Sequence, residues 1–141
     1  MIASNVLVPE ISVFNVQKSL HFYTRILGFS ILYQREEEGF AFLYLGQAQI
    51  MIDEIGKGRT WKTAQLDYPL GRGVNFQIQV NSIDPLLKKL KQNNVNLFLE
   101  VEEKWYRKND IEVGNKQFLV KDPDCYLLRF TEDLGKRQIK E

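Results

Sequence analysis

The sequence repeats one order of secondary structure, and this repeat constrains the fold more than any other feature. Hydrophobic spacing predicts a strand, a helix and three further strands in residues 5–54, and the same order again in residues 73–132. Two copies of one supersecondary unit in a chain of 141 residues indicate an internal repeat. We therefore predict an α+β domain built from two βαβββ modules.

The chain has the size of one domain, with the two modules joined by a linker. A chain of this length can bury roughly 70% of the surface that it exposes when unfolded. We place module one at about 5–54, the linker at 55–72, module two at about 73–132 and a tail at 133–141. Glycine is concentrated in the linker, as is typical of a connecting segment. Within the tail, Lys136–Glu141 is expected to fray.

One predicted strand, at 74–80, alternates between apolar and polar residues without a break. Its polar face carries Asn75, Gln77 and Gln79. Amides can hydrogen-bond a ligand without the large cost of desolvating a charge, and they can equally well face solvent, so both interpretations stay open. The polar faces of the other predicted strands carry a varied set that is typical of a cavity: Glu10, Ser12, Gln49, Met51, Leu127 and Arg129.

Charge and composition argue against several classes of partner. The net charge is +1, so no overall field favours nucleic acid or an anionic membrane. The start of the chain, Met1–Asn5, has neither a basic segment nor a long apolar run. The single cysteine, Cys125, allows no internal disulfide. We therefore expect a cytoplasmic protein that binds no nucleic acid and no membrane.

Several segments carry a family resemblance. Phe118–Phe130, with its Asp-Pro-Asp turn, resembles the closing hairpin of the vicinal-oxygen-chelate superfamily of glyoxalases, bleomycin resistance proteins and dioxygenases. Val16–Tyr23 and Leu27–Phe29 look like the opening helix and turn of that superfamily. Glu102–Arg107 and Gly114–Phe118 look specifically like the bleomycin resistance branch.

The resemblance extends from Val8 to Phe130 and implies a fold. In that superfamily the two modules pair into a cupped, eight-stranded mixed sheet, with helices on the outer face and ligands bound in the concave inside. One departure lies in the closing turn, where the family usually has Gly after Asp-Pro-Asp and this chain has Cys125. If the backbone there requires a positive φ, Cys125 is mildly strained.

The positions that hold metal in related enzymes carry poor ligands here. Glyoxalases and extradiol dioxygenases set His, Gln and Glu at these positions, whereas this chain offers Val8, Met51, Asn75 and Arg129. Valine cannot ligate, methionine is a soft ligand, and arginine is a permanent cation. The lone His21 is predicted on a helix surface. We therefore expect no metal, no cofactor and no catalytic residue, with a metal-dependent glyoxalase- or dioxygenase-like enzyme as the alternative.

The resemblance to bleomycin resistance proteins implies a metal-free protein that sequesters a small aromatic ligand in a cavity at a homodimer interface. A bleomycin-like antibiotic is one candidate ligand, although bleomycin is cationic and the chain is not acidic overall. Another small aromatic or anionic compound, anchored by Arg129, is the other candidate. A homodimer with a vestigial cavity is a further interpretation of the same chain.

The candidate ligand-binding residues combine stacking surface with polar anchors. The aromatic candidates are Phe40, Phe42, Trp61, Trp105 and Tyr106. Trp105 and Tyr106 can equally pack at a subunit interface. The remaining candidates are Glu10, Met51, Asn75, Gln77, Glu103 and Arg129.

Arg129 is predicted to point away from the core and to have a carboxylate partner. Leu128 and Phe130 flank it, and neighbouring residues of a strand face opposite ways. A partly buried guanidinium keeps its charge and needs an acceptor. The predicted partners are Glu10 and Glu103.

Overall fold

The computed structural model describes residues 2–140, which form two compact units. The first unit contains the residues up to Arg72 together with Asp122–Tyr126, and the second contains Gly73–Lys121 and the residues from Leu127 onward. Met1 and Glu141, which belong to the predicted amino-terminal segment and tail, lie outside the described residues. Within residues 2–140, no helix combines the length and the apolar character that a membrane span requires.

The first unit is a four-stranded mixed sheet with one helix and a short 3₁₀ turn at Glu36–Glu38. Its elements are β1 (Glu10–Val13), α1 (Val16–Leu20) continuing as a π-helical segment (His21–Ile26), β2 (Ser30–Arg35), β3 (Phe40–Leu45) and β4 (Ala48–Glu54). The strand order is β1-β4-β3-β2, with β1 parallel to β4 and the other pairs antiparallel. Asn15 caps α1 as its sequence position predicts, because its side-chain oxygen accepts a hydrogen bond from the backbone N–H of Lys18.

The second unit repeats this arrangement with longer strands. Its elements are β5 (Asn75–Gln79), α2 (Asp84–Gln92), β6 (Leu99–Lys108), β7 (Ile111–Lys121) and β8 (Leu127–Gln138). The strand order is β5-β8-β7-β6, and β5 is parallel to β8, as β1 is to β4 in the first unit. The α+β class and the two βαβββ modules predicted from the sequence are therefore confirmed.

Each sheet has one apolar and one polar face, because side chains alternate along a strand. In the first unit the buried apolar face carries Ile11, Val13, Leu43, Ile50 and Ile52. In the second unit it carries Ile78, Phe118, Val120, Leu128 and Phe130. The polar face of the first sheet presents Glu10, Ser12, Met51 and Asp53, and that of the second presents Gln77, Gln79 and Arg129. The predicted orientation of Arg129, opposite to its two buried neighbours, is confirmed.

Two strands of the second unit, β6 and β8, are longer than the sequence predicts. The apolar residues of 95–99 predict a strand followed by a charged and aromatic segment, but β6 begins at Leu99 and includes that segment. The sequence predicts that the last strand spans 126–130, but β8 continues to Gln138, into the segment expected to fray. The added residues are mainly charged or polar, and their few apolar side chains do not alternate regularly, so the pattern that marks a half-buried strand is missing from their sequence, while backbone pairing with β7 holds them.

The turn between β7 and β8 belongs to the first unit and is held by buried polar contacts. Asp122 accepts hydrogen bonds from the backbone N–H groups of Asp124 and Tyr126, at 2.9 Å each, and from the Tyr23 hydroxyl at 2.7 Å. Burial is the main cause that raises the pKa of Asp122 from 3.8 to about 6. Cys125 has a φ of +70°, so the backbone there does take the left-handed conformation that glycine tolerates best.

Candidate functional site

The polar face of the first sheet borders a cavity of about 170 Å³. The cavity lies over β1 and β4 and beside the chain that follows β4. Its lining residues are Glu10, Ser12, Asp53, Ile55, Gly56, Arg59, Thr60, Trp61, Lys62 and Leu66. The register brings its polar groups together, because Ser12 pairs with Asp53 and Glu10 with Met51 on adjacent parallel strands. The cavity is therefore built on the strand faces that the sequence marked as polar.

Two carboxyl groups and one guanidinium form the polar part of this cavity. The Nε of Arg59 donates a hydrogen bond to Glu10 Oε2 at 2.8 Å. The Asp53 side chain lies beside Glu10 and Ser12 of the neighbouring strand, and only 4% of the residue is exposed. Burial first, and then the neighbouring Glu10 carboxyl group, raise the pKa of Asp53 from 3.8 to about 6. Near neutral pH this pair can therefore hold or release a proton.

Aromatic rings and guanidinium groups pack together along the same face. The guanidinium carbon of Arg59 lies 4.5 Å from the centre of the Trp61 ring, and that of Arg35 lies 4.0 Å from the centre of Phe40. Tyr33 stacks on Phe42 with ring centres 5.4 Å apart. Phe40 and Phe42 are each 3% exposed, so the rest of the unit already covers them. Trp61 is 77% exposed and offers a free ring face.

The polar face of the second sheet borders a larger cavity of about 530 Å³. Its lining residues are Gln77, Gln79, Tyr106, Lys108, Val113, Asn115, Arg129, Asp133, Gly135 and Lys136. Gln77 and Arg129 lie opposite each other on β5 and β8, and the Arg129 Nη2 donates to Gln77 Oε1. The Nε of Arg129 is buried and has no hydrogen-bond acceptor among residues 2–140. A buried N–H without an acceptor is costly, so a ligand acceptor at this point would stabilise the site.

The two aromatic residues of β6 have different environments. Tyr106 lines the larger cavity and its hydroxyl oxygen accepts a hydrogen bond from Gln117 Nε2 at 2.7 Å. The Trp105 ring lies over Gly114, where an added Cβ would meet ring atoms at 2.7 Å. The guanidinium carbon of Arg137 lies 4.1 Å from the centre of the same ring. Trp105 is therefore already used for packing within the second unit, whereas Tyr106 borders open space.

The structure brings together some of the predicted ligand-binding residues and separates others. Glu10 and Trp61 line the first cavity, and Gln77, Tyr106 and Arg129 line the second. The remaining candidates lie outside both linings, either buried, partly covered or on exposed strand positions: Phe40, Phe42, Met51, Asn75, Glu103 and Trp105. The binding role of every residue in this set stays a prediction.

The carboxylate partner predicted for Arg129 is wrong. Glu10 is paired with Arg59, and Glu103 lies exposed opposite Lys116 on the β6–β7 ladder. Arg129 instead donates to the neutral amide of Gln77, its direct neighbour across the parallel ladder. The physical reason is register, because the residue directly opposite in a ladder is nearer than any residue of a distant strand.

Several cavity residues were missed by the sequence analysis. Asp53 shares the alternation of Gln49 and Met51 on β4, and this pattern could have identified it. Arg59 follows β4 in a glycine-containing segment without periodicity, so no sequence signal indicated that it would reach Glu10. Lys108 and Lys136 lie in the strand extensions that the hydrophobic pattern did not predict.

The donor set does not suit a bound metal ion. Within residues 2–140 there is no group of three or more His, Cys, Asp or Glu side chains placed to hold one. Val8 precedes β1, Met51 lies on β4, and Arg129 bonds to Gln77, so these positions supply a hydrocarbon, a thioether and a cation. No chemical step through a metal is therefore derived, and the absence of a resident metal stays a prediction.

Comparison with known proteins identifies a family over most of the chain. The family model described as "Glyoxalase/Bleomycin resistance protein/Dioxygenase superfamily" matches residues 5–130. A bleomycin resistance protein from Geobacillus stearothermophilus is 26% identical over 136 residues, which cover 90% of this chain and 96% of the relative. A bleomycin resistance protein from Staphylococcus aureus strain MRSA252 gives the same values.

A solved structure resembles the fold at lower sequence identity. The crystal structure of TioX from Micromonospora sp. ML1 aligns with a TM-score of 0.70 and 18% identity, covering 93% of this chain and all of that one. At this identity the likeness extends to the fold alone.

Proposed function

The chain belongs to the Glyoxalase/Bleomycin resistance protein/Dioxygenase superfamily, as its resemblance predicted, and from this premise we propose that it is a metal-free binding protein for a small aromatic ligand. The ligand carries an anionic or hydrogen-bond-accepting group that Arg129 anchors. The relatives named bleomycin resistance proteins support a ligand-sequestering role. They do not fix the ligand, and an antibiotic is one candidate.

The observation that carries this proposal is the buried, unpartnered Nε of Arg129 beside an open cavity. Gln77 holds the guanidinium through Nη2, and Nε has no acceptor among residues 2–140. Arginine donors of this kind bind carboxylate oxygens well, because guanidinium and carboxylate geometries match. Lys108 and Lys136 add positive charge to the lining, against the single carboxylate of Asp133. The lining therefore favours an anionic group over a cationic one.

Size and shape of the cavity fit the aromatic part of the ligand. A volume of about 530 Å³ lies within the range of about 300–1,000 Å³ that small-molecule sites occupy. The Tyr106 ring and Val113 supply apolar contact, and the amides of Gln79 and Asn115 supply neutral donors and acceptors. A flat ring carrying one carboxylate satisfies both parts of the lining.

A ligand pair that differs only in charge tests the proposal. We expect 2-naphthoate to bind in calorimetric titrations and neutral 2-naphthamide to bind more weakly. Arg129→Gln should weaken naphthoate binding by about tenfold or more, as expected for losing a charge-assisted hydrogen bond. Arg107→Gln removes an exposed cation of β6 outside the cavity and is the matched control. Equal affinity of wild type and Arg129→Gln for naphthoate would contradict the proposal.

The proposal includes a homodimer. β6 is an edge strand; Phe98, just before it, is 58% exposed, and Leu99 and Val101 at its start are 37% and 39% exposed. Exposed apolar side chains along a sheet edge favour pairing with a second copy. Light scattering should give twice the chain mass at roughly tens of micromolar, and Val101→Glu should shift the equilibrium toward monomer. A wild-type monomer at this concentration would contradict this part of the proposal.

Metal analysis separates the proposal from the enzymatic alternative. Protein purified without chelators should contain no stoichiometric zinc, nickel, manganese or iron. The warrant is the donor chemistry at Met51, Asn75 and Arg129, which are poor ligands for these ions. One equivalent of any of these metals, retained through gel filtration, would favour a metal-dependent enzyme instead.

A further inference from the structure

We propose that the cavity of the first unit is a separate binding site for the cationic head group of a small organic molecule, and that Arg59 is the chain's own occupant of part of it. The chemical class is a planar or compact monocation, such as an amidinium, a guanidinium or an alkylammonium. The inference uses residues of the first unit alone and does not depend on the site at Arg129.

The first argument is a buried carboxyl group that lies beside another carboxyl group. Asp53 is 4% exposed, lines the cavity, and takes part in none of the ion pairs within residues 2–140. It lies beside Glu10 and Ser12 of the neighbouring strand, and Glu10 is itself a carboxyl group. A buried carboxyl beside a second carboxyl is stabilised either by a proton or by a cation.

The second argument is the geometry of Arg59, which already shows how a cation fits here. Its Nε lies 2.8 Å from Glu10 Oε2, and its guanidinium carbon lies 4.5 Å from the centre of the Trp61 ring. A planar cation is favoured where a carboxylate accepts hydrogen bonds at its edge and an aromatic ring lies over its face. Arg59 reaches this place from a segment outside the sheet, directly after Gly56 and Gly58. A free cation can therefore replace it without disturbing a strand.

Room and charge both favour a small cation. The cavity keeps about 170 Å³ next to Arg59, which suits a head group and not a whole drug-sized molecule. Two carboxyl groups face Arg59, and Lys62 is an exposed residue of the lining. When Asp53 is ionised, the two carboxylates equal the charges of Arg59 and Lys62 together; because Lys62 is exposed and screened by solvent, the charge of the buried Asp53 still favours a further cation beside it.

Binding is expected to depend on pH through Asp53. The groups that face it are Glu10 and Ser12 from β1, Arg59 from the following segment and the phenol of Tyr126. Burial and the Glu10 carboxyl hold the pKa of Asp53 at about 6, so a bound cation should release its proton. Affinity for a cation should therefore increase as the pH rises through about 6, and a proton should be released on binding.

Benzamidinium, with neutral benzamide as its isosteric control, tests the inference by calorimetry. The wild type should bind benzamidinium more tightly than benzamide. Asp53→Asn should weaken benzamidinium binding by about tenfold and abolish its pH dependence. Arg59→Gln should tighten it by about tenfold, because the internal competitor is removed. Glu37→Gln, which removes an exposed carboxylate of the same unit outside the cavity, should change nothing.

The Arg59→Gln variant decides the outcome even if Asp53→Asn fails to fold. Tighter binding of benzamidinium by Arg59→Gln than by the wild type supports the inference. Weaker binding would overturn it, because Arg59 would then hold the site together and not occupy it. Equal binding of benzamidinium and benzamide would also overturn it, and so would the absence of benzamidinium binding in Arg59→Gln.

Discussion

Replacing Asp122 by asparagine should make the protein more stable at neutral pH and no less stable in acid. Asp122 is 4% exposed and accepts three hydrogen bonds, two from backbone N–H groups and one from Tyr23. Asparagine is nearly isosteric and cannot ionise. Its oxygen can accept from the two backbone groups, and its NH₂ can donate to the Tyr23 hydroxyl, which then turns to accept.

The magnitude follows from the pKa of Asp122 in the folded protein. Burial holds this pKa at about 6 against an ordinary 3.8, so the folded state binds the proton more tightly than the unfolded state. The contribution of Asp122 to the free energy of unfolding is therefore largest below about pH 4, decreases as the pH rises to about 6, and is constant above that. A pKa raised this far means that ionising Asp122 costs the folded state roughly 3 kcal/mol. Because asparagine avoids this cost, the free energy of unfolding of Asp122→Asn should exceed that of the wild type by up to roughly 3 kcal/mol at pH 7.

Urea unfolding followed by circular dichroism, at several values between about pH 4 and pH 7, measures this difference. Asp53 and Asp124 also have raised pKa values, so the wild-type slope contains their contributions and only the difference between variants isolates Asp122. Asp110→Asn removes an exposed carboxyl and should keep the wild-type profile. If Asp122→Asn kept the full wild-type slope, or were less stable at pH 7, the assigned cost of burying this carboxylate would be wrong.

Three further substitutions test close contacts by the same urea assay. Cys125→Gly should stabilise the protein by about 1 kcal/mol, because glycine adopts a φ of +70° without strain; no gain would show that the turn is unstrained. Gly71→Ala should cost about 3 kcal/mol, because its Cβ would overlap backbone atoms of Cys125 and Tyr126, and an unchanged midpoint would refute this contact. Gly114→Ala should cost about 1–2 kcal/mol by displacing the Trp105 ring, and Trp105→Leu should suppress that cost.

The parts of the fold that the sequence predicted are those with one buried face. Phe76 and Ile78 alternate with amides on β5, and Ile50 and Ile52 alternate with polar residues on β4, so both strands and their faces could be recognised. β6 has no such alternation, and on β7 it is confined to the last residues, where Phe118 and Val120 are buried. The rest of these strands is held by backbone pairing, and the ion pair between Glu112 of β7 and Arg137 of β8 adds a contact that no hydrophobic period records.

The sequence predicts on which face of its strand a candidate site residue lies, but it does not predict which side chain that residue contacts. That Arg129 faces away from the core follows from Leu128 and Phe130, since alternation is a local property. That Arg129 meets Gln77 depends on ladder register, and that Glu10 meets Arg59 depends on the path of a segment without regular structure. Both are properties of the folded chain that residue spacing does not encode.

Local charge, and not the net charge of the chain, decides which ligands the two cavities favour. The total of +1 was taken as an argument against a cationic ligand. Yet Glu10 and Asp53 give the first cavity two carboxyl groups, whereas Lys108 and Arg129 make the second one positive. Each lining therefore predicts its own preference. We expect a cationic group to be disfavoured at Arg129 and favoured at Asp53, and benzamidinium and naphthoate titrations of one protein sample distinguish the two preferences.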